Sequence, residues 1–199
     1  MGDIATLLLL MIFPLPLLSI AYWTIRAGIS PMPSSQAARA GVLTLLEAPM
    51  DRIVDLGSGW GGLARCLAKT YPSLPVLAFE LSFWPYWYSR CVQRLRPLAN
   101  LQLMRGSFYT LELAPNDRLI AYLYPGAMQT LAIFLDSKAQ AISNNFESNN
   151  AELRNIELIS ISFRLPGTPI MRTYPLKQWF TGDVTLYRLF THVESREQS

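Results

Sequence analysis

Past residue 50 the apolar residues fall into short blocks separated by longer, periodic stretches. The blocks are Arg52 to Leu56, Val76 to Glu80, Leu101 to Arg105, Leu119 to Tyr124, Ile156 to Phe163 and Val184 to Phe190. Their short length and their Val, Ile, Leu and aromatic content predict strands. Trp60 to Tyr71, Phe83 to Leu95 and Ala127 to Ile142 repeat their apolar positions at helical spacing. One more helix precedes the first strand, with Val42, Leu43, Leu45 and Leu46 as its apolar stripe and Ser34 or Ser35 as its N-cap. Strands alternating with helices predict an α/β protein, a Rossmann-like, doubly wound, mostly parallel sheet covered on both faces.

Two stretches break this rhythm. Asn144 to Asn150, NNFESNN, reads as an exposed loop. Arg164 to Asp183 is rich in Pro and Gly and predicts one irregular strand or a flap beside the active site.

The N-terminus follows a different pattern. Ile4 to Ile25 carries no charge and ends in Tyr22 and Trp23. As a helix its 22 residues would span roughly 33 Å, about the hydrocarbon thickness of a bilayer. A cleavable signal peptide is the competing reading, with Ser19 to Ala21 as its cleavage site, but no Lys or Arg precedes the apolar run. A retained transmembrane helix, kinked at Pro14 and Pro16, is the expectation. Arg26 and Arg39 follow the span and no basic residue precedes it. This places the C-terminal body on the cytoplasmic or matrix side, as in a bacterial inner membrane. The expected organisation is an anchor over residues 1–26, a Pro/Ser linker over 27–35, a catalytic domain over 36–192 and a tail over 193–199.

Composition narrows the function. The formal charge is +3, and the 17 basic residues are scattered rather than gathered in a run, which argues against nucleic acid as a partner. With one histidine, His192, and with Cys66 and Cys91 far apart, no zinc-ligand pattern is present in the sequence. His192 reads as a surface residue, and the two cysteines as helix residues without chemistry.

The candidate chemistry lies in Val54 to Gly62, VDLGSGWGG. Its glycines at 57, 59 and 62 fit G-x-G-x-x-G. The stretch also fits the looser acidic-x-G-x-G-x-G loop that many S-adenosylmethionine (SAM) enzymes carry. Either ligand uses a tight turn at a helix N-terminus, where backbone N–H groups meet a polar group. Either also uses an acidic residue at the end of the second strand, here Glu80, to accept hydrogen bonds from ribose. Asp55 separates the two: a carboxylate beside this turn repels the pyrophosphate of a dinucleotide and attracts the ammonium and sulfonium of SAM.

With these residues placed, the chain over about residues 36 to 190 resembles class I SAM-dependent methyltransferases. More narrowly it resembles the membrane-anchored lysine methyltransferases of the mitochondrial adenine nucleotide translocase and ATP synthase c-subunit, and their bacterial relatives. The resemblance rests on the hydrophobic N-terminus, SPMPSS, VDLGSG, FELSFWPYWYSR and FRLP. It implies SAM as cofactor, held by Asp55, Gly57, Ser58, Gly59, Gly61, Glu80 and Leu81; the Ser107 hydroxyl and the Phe108 ring are the candidate adenine contacts where the family's aspartate is missing. It implies the lipid bilayer and a lysine of a membrane protein as partners. The sequence departs from the family at Trp60-Gly61-Gly62, where D-G-R is common. It departs again at Gly106-Ser107-Phe108, where an aspartate often stands near the adenine.

A lysine acceptor must lose a proton from a group whose ordinary pKa is about 10.4, which a desolvated aromatic pocket favours. Tyr124, and after it Tyr122, at the tip of the fourth strand, are the candidate catalytic contacts. Phe83 to Tyr88, FWPYWY, divides between core, ligand and bilayer surface. A small-molecule or lipid acceptor, a non-catalytic SAM- or nucleotide-binding module and an NAD enzyme stay open as alternatives.

Overall fold

In the computed structural model the chain is described at residues 34–47, 49–114, 116–144, 156–176 and 182–189, and at the isolated positions 6 and 18. The N-terminal apolar run, most of the linker, the 145–150 loop, His192 and the tail lie outside the described residues. Among the described residues no helix is long and apolar enough to cross a membrane.

Helix α1 (Gln36–Leu45) opens the domain. Ser35 caps it by accepting a hydrogen bond from the Ala38 N–H at 3.1 Å. Ser34 accepts instead from Arg39 Nε at 3.0 Å. Then follow β1 (Arg52–Asp55), α2 (Gly62–Thr70), β2 (Val76–Glu80), α3 (Phe83–Leu95), β3 (Leu101–Arg105), a 3-10 turn (Phe108–Thr110), β4 (Asp117–Ala121), α4 (Pro125–Asn144), β5 (Glu157–Ile161), β6 (Arg172–Tyr174) and β7 (Val184–Arg188).

The seven strands form one sheet in the order β3-β2-β1-β4-β5-β7-β6. The first five are parallel; β7 runs antiparallel to both β5 and β6. Successive residues of the central strands face opposite layers, as the two-residue repeat of a strand requires. Ile53, Ile120, Ile159 and Leu186 pack with Val42, Leu45 and Leu67 of α1 and α2. Their neighbours Val54, Leu119, Leu158 and Tyr187 pack with Met128 and Leu131 of α4 on the other side. Cys66 and Cys91 are free, half-buried thiols on α2 and α3.

Several expected boundaries move, most of all around the fourth strand, and the irregular strand expected in Arg164 to Asp183 forms. The fourth strand spans Asp117 to Ala121, not Leu119 to Tyr124. Its first two residues are charged yet buried, because Asp117 accepts from Arg52 and Arg118 pairs with Glu157. Tyr122 and Tyr124 therefore lie beyond the strand. Helix α4 starts at Pro125 and ends at Asn144, longer than Ala127 to Ile142. Proline fits a first helical position, where no N–H is needed. Within Arg164 to Asp183 a short edge strand, β6, forms at Arg172–Tyr174. Before it the chain is pinned, since the Leu165 N–H donates to the Tyr187 hydroxyl at 3.2 Å.

Candidate active site

The sheet reverses its order between β1 and β4, which opens a crevice at the carboxyl ends of these strands, where open α/β sheets bind ligands. VDLGSGWGG occupies that position. β1 ends at Asp55, and the chain turns through Gly57 to Gly61 into α2.

The glycines serve the turn. Gly61 has φ +76°, and a Cβ there would stand 2.7 Å from Ser89 Oγ on α3. Gly59 has φ +53°, and a Cβ there would meet nothing within 4 Å, so this part of the turn faces open space. Gly57 packs against Leu123, which follows β4.

Glu80 holds the turn in shape. Its Oε2 accepts from the Gly59 N–H at 2.7 Å, and its Oε1 accepts from the Ser82 N–H at 2.6 Å. One carboxylate thus ties the glycine turn to the start of α3. The Ser58 N–H donates to the Phe79 carbonyl at 2.8 Å, which adds a second tie between the turn and β2.

Asp55 is only 2 % exposed. Its Oδ1 accepts a long bond from the Gly57 N–H at 3.5 Å, while its buried Oδ2 has no hydrogen-bond partner among the described residues. Burial pushes this carboxyl up to about 7, the Gly57 N–H pulls it down in part, and the Glu80 charge adds to the rise. A buried carboxylate without a cation is costly. The site is therefore set to receive positive charge, and a pyrophosphate would meet the opposite of what it needs.

The remaining candidates are spread around the crevice. Ser58 is buried within the turn and Leu81 is exposed just past Glu80. Ser107 uses its hydroxyl to accept from the Tyr109 N–H at 3.3 Å, capping the 3-10 turn. Phe108 packs on the α4-side core and against Tyr109, with ring centroids 4.4 Å apart. Tyr122 packs on the α1/α2-side core. Tyr124 lies over Gly126, whose added Cβ would stand 2.7 Å from its ring.

Two neighbours escape a reading of the sequence. Tyr109 bonds Thr130, and its phenol is raised by burial, with a smaller contribution from the charge of Tyr124. Its ring meets Phe134 of α4 edge-on, with centroids 5.4 Å apart. Arg39 of α1 reaches the start of α2: a Cβ on Gly62 would stand 2.6 Å from its Nη2. Neither residue sits in a motif; the aromatic pair Phe108-Tyr109 was the one visible signal.

No family model matches the chain, and no curated protein matches it. Solved structures do. An RNA methyltransferase from Salinibacter ruber, in complex with S-adenosyl-L-homocysteine, superposes with a TM-score of 0.57 at 19% identity, over 79% of this chain and 92% of that one. A SAM-dependent methyltransferase from Aquifex aeolicus gives 0.55 at 12%, over 76% and 89%. A human methyltransferase 10 domain containing protein gives 0.56 at 12%, over 88% and 95%. At these identities the likeness is one of fold: the sheet and helices are arranged as in SAM-dependent methyltransferases.

Proposed function

We propose that this chain is a SAM-dependent methyltransferase, anchored to a membrane by its N-terminal apolar segment, and that it methylates a lysine of a membrane protein. The observation that carries the cofactor assignment is the buried Asp55 Oδ2, without a partner among the described residues, beside a glycine turn that opens onto free space. The residues fit the group: an acidic pair, Asp55 and Glu80, with a turn between them that has room for a ligand.

When bound, SAM supplies an activated methyl group on a sulfonium. The chain's own residues do the rest. Asp55 draws in positive charge and loses its proton as it does so. Glu80 keeps the turn closed and has lone pairs left for ribose hydroxyls. Leu81, Ser107 and Phe108 border the side where the adenine is proposed to lie. Tyr124, and after it Tyr122, would contact the acceptor amine, where aromatic faces favour a methylated ammonium. The lysine and the bilayer are taken from the resemblance and from the charge-free run at residues 4–25. The two arginines that follow that run support a body on the cytoplasmic or matrix side.

Tritiated SAM incubated with a membrane extract tests the activity. Label on a membrane protein, at lysine, is expected. Label on a lipid, a small molecule or RNA would replace the acceptor. SAM binding without any transfer would make the chain a binding module, and NAD binding in place of SAM would overturn the cofactor.

Asp55 also sets a pH dependence. Its folded pKa of about 7 exceeds the ordinary 3.8, so the folded protein holds this proton more tightly than the unfolded chain. Stability from this group is therefore full below 3.8 and is lost as the pH rises to about 7. Cation binding runs the other way, since it needs the ionised form. SAM affinity, measured by calorimetry, should rise about eightfold between about pH 6 and about pH 7.5, in proportion to the ionised fraction. Asp55→Asn should bind weakly and lose this slope. An unchanged slope in the variant would assign the titration to another group.

A further inference from the structure

Residues 81–111 contain four arginines, at 90, 94, 96 and 105, and no Asp or Glu. The same stretch carries most of the exposed large apolar side chains among the described residues, including Leu81, Phe83, Trp87, Tyr88, Leu95 and Met104. Trp87 is 54% exposed, Tyr88 51% and Leu95 82%. Two features of α3 explain this. Only Pro85 and Ser89 of its 13 residues are buried. At helical spacing, Phe83, Trp87, Arg90 and Arg94 then line up as one stripe opposite that buried side, aromatic in the first turns and basic in the last. The helix covers the β2–β3 edge of the sheet, where β3 itself is largely exposed.

We infer that this stripe of α3, with Arg105 beside Phe83, is a docking surface for the anionic headgroup layer of a bilayer. Arg105 stands 5.2 Å from the Phe83 ring centre, so the apolar and cationic elements of the patch are contiguous. Aromatic rings with arginine suit the interface, where rings sit at headgroup depth and basic residues are drawn to an anionic surface. Charge complementarity selects this occupant: a neutral apolar partner would leave these arginines without opposite charge, since residues 81–111 carry no Asp or Glu. The inference rests on the membrane-anchored reading above and goes further, because it fixes which side of the domain faces the lipid. The back of the same helix touches the glycine turn. Ser89 Oγ donates to the Gly59 carbonyl at 3.4 Å, and Tyr88 meets Trp60 edge-on at 5.4 Å. Docking would hold the mouth of the candidate site next to acceptors that lie in or just above the bilayer.

The test uses the full chain with vesicles of phosphatidylcholine and phosphatidylglycerol whose acyl chains carry bromine near the headgroup. Tryptophan emission is compared between the wild type and Trp87→Phe, in which the other four tryptophans are unchanged. Greater quenching in the wild type is expected, with the excess lost in Arg90→Glu/Arg94→Glu. Equal quenching in a chain that still sediments with the vesicles overturns this inference and leaves the anchor standing. A chain that stays in the supernatant overturns both. If Trp87→Phe weakens binding to a single-stranded RNA oligomer while quenching is equal, the patch is a nucleic-acid face and the inference is wrong.

Discussion

Glu80→Ala should weaken SAM binding about 100-fold, or about 2.7 kcal/mol, and so abolish measurable heat at ordinary protein concentrations. Two effects add. The carboxylate is the acceptor for the Gly59 and Ser82 N–H groups, so without it the glycine turn and the start of α3 are no longer held to one point. It is also the proposed partner of the ribose, and hydrogen bonds to charged groups contribute about 1.5–3 kcal/mol each. The fold itself should suffer little. Glu80, Gly59 and Ser82 are half-buried, so water can replace the lost acceptor. A cost of about 1 kcal/mol corresponds to a fall in Tm of about 2–4 °C. Glu80→Gln keeps one acceptor oxygen and should fall between the two. A Glu80→Ala protein with wild-type affinity would remove Glu80 from the site.

The largest stability effect is expected at Arg118→Met. Arg118 and Glu157 face each other across β4 and β5, with Nε and Oε2 3.3 Å apart, and both are nearly buried. Arg118 Nη2 also donates to the Pro49 carbonyl at 2.5 Å, which ties the segment before β1 to the sheet. Methionine matches the length of the stem but leaves Glu157 without this partner. Breaking a buried pair from one side costs about 3–5 kcal/mol. At about 2–4 °C per kcal/mol, thermal unfolding should shift down by at least about 6 °C. Adding Glu157→Leu should restore much of the loss, because neither charge then stays buried. Arg188, the other partner of Glu157 at 3.4 Å, is half exposed and can turn to water. If the double variant is no more stable than Arg118→Met, the pair is not the source of the effect.

These two sites also mark what the sequence could and could not reveal. The strand at Val76 to Glu80, the helix at Phe83 to Leu95 and the strand at Leu101 to Arg105 are as their periodicity predicts, because their neighbours add no competing signal. The fourth strand starts two residues before its apolar run, because Asp117 and Arg118, charged side chains that suit solvent, are buried in it. Only their partners, Arg52 and Glu157, distant in sequence, make those positions compatible with the interior. The strand ends at Ala121 although Tyr122 and Tyr124 have strand-like side chains, since Pro125 already begins a helix. At the site, the acidic residues and glycines could be found from spacing alone. That Glu80 itself holds the turn, and that Ser107 spends its hydroxyl on a cap, depends on backbone geometry that spacing does not encode.

The reversed direction of β7 has a practical side. The five parallel strands carry the crevice at their carboxyl ends, but β7 finishes at the other end of the sheet. A fluorophore or affinity handle attached at Arg188, exposed at that end, thus sits on the floor of the domain. Immobilising the protein by that route leaves the mouth clear for binding measurements.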